Sequence, residues 1–323
     1  MHIFTVTIRM LILLIAVSAL SFILIAKAPI DPLTAYIGTE STLSQEAKDE
    51  IAAHWGLNDS LPQRYFKWAG NVLRLDLGES ITYKRPVAEV IGERFSHSVI
   101  LMLLAWALSG ILGFLLGMKS GSLQGRLPDR AIKTFCLLLQ STPVFWIGLL
   151  VLSLFAVKLG WFPIGMEAPI GKLAADVTAG DRIYHLILPV FTLTIVGMGK
   201  ITLYTRRKYI ETAGSDFVLF ARARGETSRQ MFTRHIMRNI ALPAVTVQFA
   251  SFSELFGGMA LAETVFSYPG IGTATTAAAL NGDVPLLLGT ALIGALFVFA
   301  GNLTANILYG VFDPRLKEGG DYI

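Results

Sequence analysis

The chain has 323 residues, of which 53% are hydrophobic and only 15% charged, whereas a soluble domain carries about 25% charged residues. Its formal net charge of +4, from 27 Lys and Arg against 23 Asp and Glu, is too small a surplus to mark a nucleic-acid binder. The single cysteine, Cys136, excludes a disulfide framework or a cysteine metal cluster within one chain.

Six apolar windows approach the length needed to cross a bilayer: 10–26, 99–118, 134–157, 186–204, 240–262 and 284–310. Hydrocarbon offers the backbone no hydrogen-bond partners, and the short alternating segments of a barrel are missing. The predicted fold is therefore an all-α integral membrane protein with six transmembrane helices and both termini on one side. Ala26-Lys27-Ala28 loosely matches the cleavage site that ends a secretory signal. The apolar run before it is longer than the usual 7 to 15 residues of such a signal, so a retained first helix is expected.

Between the first two windows lies 28–95, with seven basic and ten acidic residues, the one sizeable segment outside the membrane. Ser44 is placed to cap a helix over 45–55 that stops at Gly56. Ser60 and Pro62 start a second helix through about Leu75, with Tyr65, Phe66, Trp68 and Val72 available to face the bilayer or the spans. Pro86 opens a third that runs on into the second window. No Pro- or Ser-rich linker divides the sequence, so 1–323 is expected to form a single domain.

Lys and Arg in short loops set orientation, because they resist translocation. Lys119, Arg126, Arg130 and Lys133 face one acid, Asp129, in the loop 119–133. The loop 205–239 carries eight basic residues against Glu211, Asp216 and Glu226. Both loops are predicted to be cytoplasmic, together with Arg9 at one end and Arg315 and Lys317 at the other. The segment 263–283 has no Lys or Arg, and 158–185 balances three of each sign, so both face outward.

The stretch 206–243 reads as a helix, a sharp turn and another helix. Asp216 or Ser215 can cap Phe217 to Arg224, Gly225 supplies the positive-φ residue, and Thr227 or Ser228 can cap the next helix. Phe217 and Phe220 offer apolar anchors between arginines, and Ala221 and Ala223 are small enough for a partner's backbone to come close. The alternative is a solvated basic loop that only enforces topology.

Within the windows, Glu254 sits mid-span in SELFGG, where Gly257 and Gly258 let a helix pass close by. Its carboxylate is a candidate for the translocation path, or else a structural group paired inside the bundle. Lys200, near the cytoplasmic end of its window, can snorkel outward. Asn302 and Asn306 share one face of the last helix and are placed to bond across helices or to touch cargo. Met198 and Met259 are soft contacts or packing, and His97 and His185 are interfacial residues at outer span ends.

Several motifs in order carry a resemblance. ARARG with RHIMRNIALP after it, the external GLNDSLPQRYFKWAGNVLRLDLGES, LLLQSTPVFWIGLLVLSLFAVKLGWFP, AETVFSYPGIG and NLTANILYGVFDPRLK together resemble the dipeptide, oligopeptide and nickel permease family of ABC importers. The likeness runs from about 50 to 317. SELFGG with RHIMRNIALP is slightly closer to the nickel and metal-chelate members. The chain departs from the family at Asn306, where an acid is usual, and at Asn281-Gly282-Asp283, which replaces an Arg-Asp pair.

The resemblance implies a type I importer transmembrane domain in a bacterial or archaeal plasma membrane. Its implied partners are a second homologous permease, two ABC ATPases and an extracytoplasmic solute-binding protein, with nickel, a metal chelate or short peptides as cargo. Asp216, Phe217, Phe220, Ala221, Ala223, Arg224 and Gly225 would couple to the ATPase; the candidates for the path, read from the residues within the windows and not from the resemblance, are Glu254, Met259, Asn302 and Asn306. The chain carries no Walker A signature: Gly197-Met198-Gly199-Lys200 lacks the upstream glycine. ATP and Mg are therefore expected at the partner subunits, with no cofactor, metal or catalytic residue here. An ion-gradient-driven transporter or channel is the alternative from another class; it would call for internal repeats and more buried acids.

Overall fold

The computed structural model describes residues 2–27, Ser44, Glu46 and 59–312, with side chains from 8 to 304 except at 174. The helix expected over 45–55, apart from Glu46, the side chain of Asn306 and the basic pair Arg315 and Lys317 lie outside the described residues. Among the described residues the chain is helical but for one short hairpin. In order come α1 (His2–Lys27), α2 (Leu61–Leu73), β1 (Glu79–Ser80), β2 (Arg85–Pro86) and α3 (Val87–Ser122). Next are α4 (Leu127–Ser141), α5 (Val144–Val151) with a wider π turn over Leu152–Lys158, α6 (Ala179–Ala213) and α7 (Asp216–Ala223). The last are α8 (Ser228–Met231), a π turn over Phe232–Ile236, α9 (Met237–Ala250), α10 (Phe252–Val265), α11 (Ile271–Leu280) and α12 (Val284–Phe312).

Ile8–Lys27, α3, α6 and Val284–Thr304 are each long and apolar enough to cross a membrane unbroken. Two further helix pairs are apolar enough only when each is taken together as one broken segment, bent by 111° where α4 meets α5 and by 50° where α9 meets α10. The third window is thus not the continuous helix the sequence predicts. Pro143 has no N–H to continue the ladder and forces its predecessor out of the helical region, and Thr142 sits at φ −105°, ψ 129°. The second bend falls at Ser251, whose hydroxyl returns to the Gln248 carbonyl at 2.8 Å.

The chain forms two compact units. One comprises Met1–Ser98 with Pro269–Phe299, the other Val99–Tyr268 with Ala300–Ile323. In the first, α2 opens with Gln63 Oε1 accepting from the Ser60 N–H at 3.1 Å and from the Ser60 hydroxyl at 2.8 Å. Its Tyr65 and Trp68 rings pack on Phe22 of α1, and the Tyr65 and Ser18 hydroxyls meet at 2.9 Å. β1 and β2 pair antiparallel, with Glu79 opposite Pro86 and Ser80 opposite Arg85. The fully buried Asp283 holds this hairpin, accepting from the Thr82 N–H at 2.9 Å and from the Ser80 hydroxyl. Asp283 also accepts from the Leu286 N–H at 3.1 Å in the first turn of α12.

In the second unit α6 is the central helix. Its most apolar window is 61% buried, against 6% for that of α1. Helices α4, α5, α9 and α10 all pack on it. On α3, Gly113, Gly117 and Gly121 recur every four residues and lie on Ile201, Thr205 and Tyr209 of α6. A methyl group at Gly117 would stand 2.6 Å from Thr205 Cβ and 2.7 Å from the Thr202 carbonyl oxygen. These two backbones can therefore approach so closely only without side chains on that stripe.

Candidate functional site

The first site is the turn between α6 and α9. Ser215 takes the N-cap position of α7 in extended conformation, but its hydroxyl goes back to the Thr212 carbonyl at 2.5 Å rather than capping the helix. At the other end Gly225 has φ +85°. Its N–H donates to the Arg222 carbonyl at 3.0 Å, and the Glu226 N–H reaches the Ala221 carbonyl at 3.2 Å. This is the paired closure of a glycine-ended helix. Thr227 then caps α8, with Gln230 Oε1 accepting from its N–H at 2.9 Å.

The two sides of α7 have opposite character. Val218 and Ala221, three apart, point inward and form a buried cluster with Met231, Ile236 and Ile240, against Phe114, Met118, Tyr209, Ala213 and Phe232. Phe217, Leu219 and Phe220 point outward, Phe220 at 65% exposure, beside exposed Asp216, Arg222, Ala223 and Arg224. The expectation that Ala221 leaves room for a partner is therefore corrected. Its small side chain is what lets α7 press onto its own bundle. Val218 and Leu219, which no sequence signal singles out, carry the inner and outer faces. The turn is braced further by Glu226 and His235, 3.1 Å apart.

Near this turn α6 is clamped to the first turn of α4. Arg206 Nε and Nη2 donate to the two oxygens of Asp129 at 2.6 and 2.8 Å. The Ser120 hydroxyl and the Gly125 N–H complete the same carboxylate at 2.6 and 2.8 Å. The Asp129 side chain is 3% exposed and that of Arg206 20%. By sequence these are two loop charges among many. In the fold they form a buried bidentate pair.

The second site lies where α6 meets the first turn of α10. Lys200 of α6 donates to Glu254 of α10 at 2.7 Å, with the side chains 51% and 70% exposed. Lys200 is thus paired across helices rather than snorkelling. Ser253 donates to Asn302 Oδ1 at 2.7 Å, so Asn302 bonds across helices. Met259 is 1% exposed and belongs to the packed core, which removes it from any path lining. Val144 fits against Gly258, whereas Gly257 faces open space. Beside the second bend, the Trp106 indole N–H donates to the Gln248 carbonyl at 3.0 Å, and Gln248 Nε2 returns to the Trp106 carbonyl at 2.6 Å.

Near the N-terminal end of α6, His185 is buried and its Nδ1–H donates to the Gly165 carbonyl at 2.8 Å, so it is a packed residue and not an interfacial one. The Met166 N–H bonds the Phe266 carbonyl at 2.9 Å and fastens this outer loop to the end of α10. Next to it the Tyr268 phenol is pushed up to about 12, first by burial and then by the nearby charges of Glu167 and Glu263. His97 is only partly buried, with Nδ1 2.9 Å from the Glu93 carbonyl.

Two family models match this chain. "Binding-protein-dependent transport system inner membrane component" covers residues 109–318, and a companion model for the N-terminal part of such membrane components covers 1–102. The oligopeptide transport system permease protein AppB of Bacillus subtilis is 33% identical over 310 residues, 94% of this chain and 95% of that protein. A putative peptide permease protein of Brucella ovis is 32% identical over 307 residues, with 94% and 95% covered. A probable peptide ABC transporter permease of Sinorhizobium fredii is 32% identical over 314 residues, with 96% and 98% covered. Among solved structures, the crystal structure of an amino acid ABC transporter with histidines superposes with a TM-score of 0.52 at 14% identity, over 71% of this chain and 94% of that one.

Proposed function

The chain belongs to the family of binding-protein-dependent transport system inner membrane components, and from that premise we propose that it forms half of an inward path for short peptides. It is a multi-pass permease subunit of an ABC importer in the inner membrane, with the type I transmembrane fold, and a transport subunit rather than an enzyme. The family works with ATPase and binding-protein partners. In the finer reading, a second homologous permease completes the path and two ABC ATPases, holding ATP and Mg, sit below.

One observation carries the coupling role: α7 is apolar on both sides, and among the described residues the buried cluster takes up only the inner side, while Phe217 touches His235 and Phe220 stays 65% exposed. The inner side ties it to α3, α6 and α9. The outer side presents Phe217 and Phe220 between arginines, the composition of a knob that a partner's pocket desolvates. Because α7 is fixed to the bundle, a pull on its outer face reaches α6 rather than being lost in a loose loop. Asp216, Ala223, Arg224 and Gly225 shape the knob, and Ala221 anchors it.

The peptide reading is supported by the names of the relatives, which are peptide permeases. The lean toward nickel rests on SELFGG with RHIMRNIALP before it and on Glu254 suiting a cationic passenger. Glu254 is neutralised by Lys200, so it is not a free anion for such a passenger. Purification from its own membrane in mild detergent tests the whole reading: two ATP-binding chains and a second permease should co-purify, and the reconstituted complex should take up labelled short peptides with ATP. A lone subunit that moves solute down an ion gradient would overturn it.

A further inference from the structure

In the unit that contains α6, three features meet at one level. The third span breaks at Thr142 and Pro143, the fifth breaks at Ser251, and an exposed ion pair, Lys200 with Glu254, joins α6 to the first turn of α10. Gln140, at the end of α4, is exposed and lies on Gly199, the neighbour of Lys200. Interrupted backbone and paired charges at mid-membrane are tolerated where they line a water-filled cavity or are covered by protein, and not where they meet lipid. Broken helices at the midplane are also where transporters place cargo.

Resting on the importer reading above, we propose that Lys200 and Glu254 are a cargo site that reads the two charged ends of a peptide. Without cargo the pair neutralises itself, so the path holds no uncompensated charge. A passing peptide exchanges partners with it. The Lys200 ammonium donates to the peptide carboxylate, Glu254 accepts from the peptide ammonium, and the Gln140 amide is at hand for a peptide group. One ion pair becomes two and no charge is left alone. A cargo lacking either charge strands one member of the pair, which is how the site would discriminate.

The test uses the whole importer in proteoliposomes with its binding protein saturated. Uptake of a tripeptide with free ends is compared with its C-terminal amide and its N-acetyl form, in wild type, Lys200→Met and Glu254→Gln. The binding protein is common to all three, so a change in ratio belongs to the permease. Lys200→Met should lower the free-to-amide ratio, and Glu254→Gln the free-to-acetyl ratio, each roughly tenfold, about one charge-assisted hydrogen bond. Equal losses for all three peptides, or no loss, would overturn the site. The double exchange Lys200→Glu with Glu254→Lys adds a second reading. Restored uptake marks a pair that only fastens α6 to α10 and overturns the proposal, whereas continued loss supports a site that meets cargo in one orientation. Peptide uptake by wild type and its ATP hydrolysis, measured in the same vesicles, separate these results from failure of the importer reading itself.

Discussion

Two ion pairs use α6, less than two turns apart, and differ in almost everything else. Asp129 and Arg206 are bidentate, buried and completed by Ser120 and Gly125. Lys200 and Glu254 share a single contact and are more than half exposed. The first fixes the C-terminal part of α6 to the first turn of α4, next to the glycine stripe of α3 and the cluster that roots α7. The second stands beside two broken spans, where little holds it in place. The proposed importer uses both behaviours: a stiff end to receive force and an adjustable pair for cargo to open. Charge type is the same in both pairs, and burial and partner number decide which job each does.

Removing one member should separate the two most clearly. Asp129→Asn leaves Arg206 without its counter-charge, and a loss of about 3 kcal/mol is expected, read as a lower detergent-denaturation midpoint and reduced yield of the folded subunit. Gly117→Leu attacks the same stiff end by sterics. With Thr205 and the Thr202 backbone already in the way, overpacking should cost about 1 to 3 kcal/mol and part α3 from α6, visible as new protease cuts in the loop 123–126. Gly225→Val puts a β-branched residue at φ +85° with open space around it, so the cost is backbone strain of about 1 to 2 kcal/mol. Membrane insertion should survive while ATP-driven uptake falls. The smallest effect on stability belongs to Lys200→Met, under about 1 kcal/mol if the pair faces water. A loss as large as that of Asp129→Asn would mean the pair is sealed in protein, and the contrast between the pairs would fail.

Much of this architecture is legible in the chain. Apolar length locates the spans, and turn chemistry locates Gly225 and Thr227, because both signals are local. The proline that breaks the third span is equally local but is masked, since the apolar run continues on both sides of it. The glycine stripe is also present, at spacing four on α3, but its meaning needs the partner helix. Contacts across distance are what a single sequence withholds. Asp129 with Arg206, Lys200 with Glu254 and Asp283 with the hairpin each join residues 54 or more apart in sequence and on separate elements. A basic residue in a loop reads as a topology signal until its partner is seen. Ala221 misleads for the same reason: a small residue invites close approach, and only the fold says that the approach comes from within. Met259 likewise turns out to be core.

The proposed coupling requires the outer face of α7 to be gripped by an ATPase partner. Phe220 is the most exposed apolar side chain there and is no part of the buried cluster. Phe220→Glu in the complete importer, assayed for ATPase co-purification and for peptide uptake, is therefore the direct measurement. The subunit should insert normally while ATPase retention and uptake both fall by about tenfold or more, as for a central interface anchor. Full retention of the ATPases with unchanged uptake would contradict it.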